Sequence, residues 1–200
     1  IIGQGRTDAG VHAIGQTAHV DLPERYDASR IQHAMRGLLP DDLALLKAEQ
    51  AGPDFHSRFD AYSRCYRYQV SQREMPLNRH MVWTSGIPLK MQRLQKCADM
   101  ILGSHNFINF CIPPEEKHAT TVCTIYKSKW AEERGIYTYQ IEGNRFLRHM
   151  VRRLVGTMVN VSGGSMSLDA FKELLSGEPA EKKGHAAPAK GLILEKVLYN

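Results

Sequence analysis

Tyr62-Ser63-Arg64-Cys65-Tyr66-Arg67-Tyr68-Gln69-Val70 alternates, with Tyr66, Tyr68 and Val70 on one side and Cys65, Arg67 and Gln69 on the other. A period of two marks a strand, because successive side chains leave a pleated backbone on opposite faces. Working outward, Lys90 to Leu102 spaces Met91, Leu94, Ala98 and Ile101 as one helical face, and Gly103 follows as a stop. Thr120 to Trp130 is rich in β-branched residues and reads as a strand. Gly135 marks a turn, and Ile136 to Ile141 alternates as the next strand. Arg145 to Val159 carries an apolar helical stripe, and Leu192 to Tyr199 reads as a last strand. The order is β-α-β-β-α-β, a split-βαβ, ferredoxin-like unit. One further helix, near Leu168 to Leu175, is inserted before the last strand, with Ser167 as N-cap and Gly177 at its end.

The first half supplies part of a second such unit. Gln16 to Leu22 reads as a strand. Ala28 to Leu39 reads as a helix capped by Asp27 and stopped before Pro40, and Leu43 to Glu49 as a second strand. Gly52-Pro53 reads as a crossover. The chain opens at Ile1 without methionine and runs directly into its most distinctive motif, so a leading strand and helix are expected ahead of it. The fold class is therefore α+β. It is expected to comprise two ferredoxin-like halves with a joined mixed or antiparallel sheet and helices on one side. Residues 1–53 form the N-terminal half, truncated at its start, and residues 54–200 the C-terminal half. The Cys111 to Thr120 loop, with Pro113, Pro114, Glu115, Glu116 and Lys117, is expected to be exposed and mobile.

A chain of 200 residues with 42% hydrophobic content can bury a real core, and 24% charged residues argue against wholesale disorder. A net charge of +5 suits an anionic partner, nucleic acid above all, and equally suits a mildly basic enzyme. Cys65, Cys97, Cys111 and Cys123 have neither Cys-x-x-Cys spacing nor finger-spaced histidines, so they read as buried thiols of a cytoplasmic protein rather than zinc ligands. No apolar run reaches membrane-spanning length, and no signal peptide opens the chain.

Gly5-Arg6-Thr7-Asp8-Ala9-Gly10-Val11-His12-Ala13 is the chemical stretch. Its glycines let the backbone turn sharply and a ligand come close. Asp8 is a candidate reacting carboxylate, although an aspartate here also serves simply to hold a turn. No Gly-Lys-Ser/Thr follows, so this is not a phosphate loop. On the segment read as a helix, Arg145, Arg148 and Arg152 share one face, with Phe146, Met150, Leu154 and Met158 on another. Such a stripe is either a solvated face or a grip on phosphates. Tyr66 either fills the core or offers a ring for a base. His149 and His12 read as structural histidines rather than acid–base groups.

Gly5 to Ala13 resembles the active-site signature of the TruA family of tRNA pseudouridine synthases. Arg64-Cys65-Tyr66-Arg67-Tyr68 resembles the family's Arg-x-Tyr-Arg-Tyr strand. Phe146-Leu147-Arg148-His149-Met150-Val151-Arg152 resembles its Phe-x-x-His-Met-Val-Arg segment, and Ala187 to Leu194 its C-terminal strand entry. The resemblance implies that Asp8 is the catalytic carboxylate and Tyr66 the ring that packs on the target base. It pairs Arg152 with the carboxylate, has Arg6 handle the flipped nucleotide, and has Leu192 line the pocket. Arg145 and Arg148 would meet RNA. The implied reaction is isomerisation of uridine to pseudouridine at positions 38 to 40 of tRNA, without metal or cofactor, by a homodimer. The site is expected in a basic cleft between the halves. Two other classes fit parts of the pattern: an RNA-binding module without turnover, and a phosphoryl-transfer hydrolase built on Asp8. The hydrolase would call for a second carboxylate near the signature, which the sequence lacks.

Overall fold

A computed structural model describes residues 1–23, 25–116 and 119–200; Lys117, expected in an exposed loop, lies outside the described residues. Its elements are β1 (Ile2–Gly3), β2 (His12–Ala13), β3 (Ala18–His19), α1 (Ala28–Leu38), β4 (Ala61–Ser71), β5 (Trp83–Thr84), α2 (Met91–Met100), β6 (Gly103–Asn106), β7 (Val122–Glu133), β8 (Ile136–Gly143), α3 (Met150–Gly163), α4 (Leu168–Leu175) and β9 (Leu192–Tyr199). They form two compact units, Ile1–Gly5 with Thr17–Asp60, and Arg6–Gln16 with Ala61–Asn200.

In the first unit, β1 pairs antiparallel with β3. The Ser57 hydroxyl donates to the Ile2 carbonyl at 2.8 Å, and its backbone N–H donates to His19 Nδ1 at 3.1 Å. α1 begins as expected, with the Asp27 carboxylate accepting from the Arg30 N–H at 2.8 Å. The strand expected over Gln16 to Leu22 is only Ala18–His19, and the one expected over Leu43 to Glu49 does not form. Leu43 and Leu46 are exposed. An apolar run becomes a strand only where a neighbouring edge takes up its backbone groups and a core takes its side chains.

The second unit carries a seven-stranded mixed sheet in the order β2-β9-β4-β8-β7-β6, with β5 also paired to β4. Within it, β9-β4-β8-β7 is the antiparallel order that a split βαβ produces. The β7–β8 hairpin turns at Arg134 and Gly135, both with positive φ, which matches the twist of the paired strands. β2 and β5 pair in parallel, with β9 and β4 respectively. β6 pairs with the start of β7, so Gly103, beyond the end of α2, opens a short edge strand that periodicity over four residues does not reveal. Farther along β7, the Gln95 side chain accepts the Trp130 N–H at 2.9 Å.

α2 packs on β7 and α3, and α3 on α4. α2 buries Leu94, Cys97 and Ala98. α3 buries most of its circumference, including Met150, Leu154, Val155 and Met158. Each such side chain contributes about 1.5–3 kcal/mol of burial. In β4 the alternation holds from Tyr66 onward, with Tyr68 and Val70 fully buried. A register shift against β9 between Cys65 and Tyr66 leaves Cys65 buried too.

One expectation that bears on the site is corrected. The helix predicted from Arg145 starts instead at Met150. β8 runs to Gly143, and the Asn144 side chain accepts the Thr124 N–H at 2.9 Å, tying the next residues to β7. The Arg148 carbonyl accepts from Ile112 N–H at 3.0 Å, and His149 has φ 64°, so the backbone before Met150 is held out of helical geometry. Arg145 and Arg148 thus lie on an exposed loop, not on a helix face shared with Arg152.

Candidate active site

The loop carrying Asp8 belongs to the second unit. It turns where the Val11 N–H donates to the Asp8 carbonyl at 3.0 Å, with Gly10 at φ 79°. That angle suits the third position of a type II turn and is costly for any residue with a Cβ. β2 then joins the sheet edge, His12 opposite Ile193, and the Ile14 N–H donates to the Leu194 carbonyl at 2.8 Å. His12 Nε2 lies 2.7 Å from the His80 carbonyl, which makes it a tie for the loop.

Asp8 Oδ2 accepts a hydrogen bond from Arg152 and lies close to His149, both at the start of α3. An Arg152 terminal nitrogen lies 2.9 Å away and His149 Nε2 3.2 Å away. The side chains of Asp8, His149 and Arg152 are 28%, 24% and 16% exposed, enough to reach a ligand yet shielded enough for the charges to count. Arg152 is fixed from its other side as well, Nε donating to the Ala187 carbonyl at 2.8 Å, while the Ala187 N–H returns a bond to the Arg152 carbonyl at 3.0 Å. Guanidinium suits this bridging because its donors diverge in one rigid plane.

His149 is displaced below its ordinary pKa, first by burial. The Asp8 charge opposes this, and Arg152, Arg148 and Arg153 add to it. The neutral imidazole is therefore favoured. Tyr66 packs edge-on against Phe146, with centroids 5.2 Å apart at 84°. Burial pushes its phenol up to about 12; Arg64 opposes the shift and Asp8 adds to it. The ring is thus a neutral, half-buried face at physiological pH.

Of the other residues singled out in the sequence, Leu192 is buried opposite Tyr68 at the start of β9. Arg6 is exposed, as are Arg145 and Arg148, and none of the three bonds to Asp8. His149, read as structural, is the residue that the structure adds to the cluster. Among the described residues, no three His, Cys, Asp or Glu side chains converge to hold a metal, and no helix is long and apolar enough to cross a membrane.

Residues 1–60 and 97–200 match the family described as tRNA pseudouridine synthase. The chain is 37% identical to tRNA pseudouridine synthase A of Bacillus subtilis, over all of this chain and 81% of that protein. It is 35% identical to the Bacteroides fragilis protein of the same name, over all of this chain and 79% of that one. It is 37% identical to the Chloroflexus aurantiacus protein, over all of this chain and 73% of that one. Full coverage at this identity, with the signature loop and the α3 start placed together in space, decides kinship: the chain belongs to the tRNA pseudouridine synthase family, isomerases that act on uridine in tRNA.

Proposed function

We propose that this chain converts uridine to pseudouridine in the tRNA anticodon arm, at positions 38 to 40, with Asp8 as the reacting carboxylate. In this reading it works as a cytoplasmic homodimer. The observation that carries the proposal is the geometry at Asp8: Arg152 donates to Oδ2, His149 Nε2 approaches the same oxygen at 3.2 Å, and Oδ1 has no partner among the described residues. One oxygen is held and the other is left to react.

The reaction breaks the C1′–N1 bond and forms C1′–C5, and the C5 proton leaves to solvent. An ionised carboxylate can add to an electrophilic carbon of the nucleotide or take a proton from the sugar as the base departs. Arg152 supplies the opposite charge beside the carboxylate and fixes its direction. The target base must leave its stack, which costs a few kcal/mol, and stacking on Tyr66 returns about 1–3 kcal/mol. Tyr66→Ala is therefore expected to lower kcat/KM about 5- to 150-fold, the exponential of that energy. Tyr66→Phe is expected to keep the stacking. Since burial pushes the Tyr66 phenol up to about 12, neither variant should change the pH profile below pH 10. A shifted basic limb in Tyr66→Phe would make the hydroxyl a titrating participant instead.

Arg145 and Arg148 are assigned to tRNA phosphates on their exposure and charge. Filter binding at several salt concentrations checks this. Each Arg→Gln substitution should weaken binding and flatten the slope of log K against log salt by about 1. An unchanged slope would place these side chains in solvent.

The experiment for the function itself is tritium release from tRNA carrying 5-³H-uridine, for the parent and for Asp8→Asn. Release by the parent alone supports both the reaction and the residue. Release by both removes Asp8 from its role.

A further inference from the structure

We propose that Asn109 is a positioning residue for the reaction. It fixes the segment from Glu178 to Gly184 and, through it, the Ala187 carbonyl that anchors Arg152 beside Asp8; this rests on Asp8 being the reacting group. Asn109 belongs neither to the signature loop nor to α3. It sits in the short 3-10 turn Ile108–Phe110 and is fully buried.

The Asn109 amide directs all of its hydrogen-bonding capacity at one stretch of chain. Nδ2 donates to the Leu174 carbonyl at 2.9 Å and to the Glu178 carbonyl at 2.8 Å. Oδ1 accepts from the Ala180 N–H at 2.9 Å and from Lys183 Nζ at 3.1 Å. The Asn109 backbone carbonyl accepts from the Gly184 N–H at 2.8 Å. Two donors and two acceptor positions are all that a side-chain amide has. A buried amide is tolerated when it is satisfied in this way, and a fully satisfied network holds a single geometry. Packing alone would ask for an apolar side chain here. These bonds instead specify where the chain runs after α4.

That chain leads to the site. The Gly184 carbonyl accepts from Arg153 at 2.9 Å, and a Cβ on Gly184 would lie 2.8 Å from Thr157 Oγ1 and 3.0 Å from Phe110 Cδ1, so the segment lies close against α3 and the Asn109 turn. A little farther on, the Ala187 carbonyl accepts from Arg152 Nε at 2.8 Å, and the Ala187 N–H donates to the Arg152 carbonyl at 3.0 Å. Ala189 then reaches the signature loop, where a Cβ on Gly10 would lie 3.5 Å from its own Cβ. One stretch thus anchors Arg152 and abuts the loop that carries Asp8. If its start shifts, the Ala187 carbonyl shifts. The guanidinium turns with that carbonyl, because Nε and the terminal nitrogen on Asp8 share one rigid plane.

Single-turnover tritium release, with tRNA affinity measured separately, tests this on the full chain carrying Asn109→Ala, Arg152→Lys or both. Lysine keeps a cation for Asp8 and gives up the Nε that Ala187 holds. Asn109→Ala is expected to lower the rate roughly 10- to 100-fold with tRNA affinity within about twofold of the parent. In the Arg152→Lys background it is expected to cost less than about threefold, because both changes act through one contact. A residue that only stabilises the fold would leave the rate of the folded protein unmoved, or would add its full effect to that of Arg152→Lys; either result overturns the proposal. So does a loss confined to tRNA affinity. Asn109→Ser keeps one hydrogen-bonding group and replaces alanine in the cycle if the alanine variant does not fold. A serine variant that does not fold either would make Asn109 a requirement of the fold itself and also overturn the proposal. Asp8→Asn run alongside separates the layers. If it releases label like the parent, the assignment of Asp8 has failed; if it is inactive while the Asn109 and Arg152 effects add, only the role of Asn109 has failed.

Discussion

Asp8→Asn is expected to lower tritium release by at least about four orders of magnitude, the scale seen when a covalent or proton-transfer group is removed from a site that otherwise stays intact. The reason lies in the two ends of the carboxylate. Arg152 donates to Oδ2, so the asparagine oxygen will turn to that side, where it can accept the same bond. The amide nitrogen then occupies the place of Oδ1. It can neither accept a proton nor add to a carbon, so the reacting position is filled by a group of the right size and the wrong chemistry. The opposite flip would aim the N–H₂ at the Arg152 donor and is disfavoured. Because the Arg152 hydrogen bond survives with a neutral acceptor, the stability cost is small, about 1 kcal/mol for the lost charge assistance. That corresponds to a Tm lower by about 2–4 °C in a chain of this size. A variant that melts near the parent, binds tRNA and releases no label would meet the expectation. A residual rate within tenfold of the parent would move the chemistry to another group.

Much of the second unit is legible in the sequence because its signals are periodic. The strand at Tyr62 to Val70 appears as Ala61–Ser71, and Leu192 to Tyr199 forms over its predicted bounds. The Ser167 cap accepts the Ala170 N–H at 3.0 Å, as Ser at an N-cap is placed to do. The start of α3 is not legible, because the apolar positions before it continue a helical rhythm. Phe146 falls four residues before Met150, and only three-dimensional ties at Asn144 and Arg148 break the sequence into loop and helix. The strand expected at Leu43 to Glu49 is the opposite case, local propensity without a partner edge.

The site divides in the same way. Asp8 and Arg152 stand in motifs 144 residues apart, and their 2.9 Å contact is a product of the fold that no local spacing contains. His149 gives little signal, because an isolated histidine is usually structural. Its positive φ is set by neighbours in space. Histidine is among the non-glycine residues enriched at such angles. Helical arithmetic groups Arg145 and Arg148 with Arg152, and the loop invalidates it, so any part they play in binding rests on exposure and charge alone.

Gly156→Ala is expected to cost both stability and turnover, although the helix itself would gain. Alanine in a helix interior is favoured over glycine by about 0.8–1 kcal/mol, and Gly156 lies well inside α3. Here sterics outweigh propensity. A Cβ on Gly156 would fall 2.3 Å from the His185 carbonyl oxygen and 2.8 Å from the Ala187 nitrogen, both backbone atoms without a rotamer to yield. The segment from Gly184 to Pro188 must lift off the helix. It is the segment whose Ala187 carbonyl holds Arg152 Nε, whose Gly184 carbonyl accepts from Arg153, and whose Pro188 carbonyl accepts from Tyr68. Overpacking of this kind costs about 1–3 kcal/mol, a Tm lower by about 2–12 °C. Arg152 would lose its second anchor, and a carboxylate displaced by about 1 Å can lose roughly 100-fold in rate. Gly37→Ala is the matched control. Gly37 lies in α1, and a Cβ added there would meet nothing within 4 Å, so the same substitution should be neutral or stabilising by up to about 1 kcal/mol and leave turnover alone. Thermal melts and tritium release on the two variants would check the pair. If Gly156→Ala matched Gly37→Ala in both, the approach of the 184–188 segment to α3 would not be what holds Arg152 against Asp8.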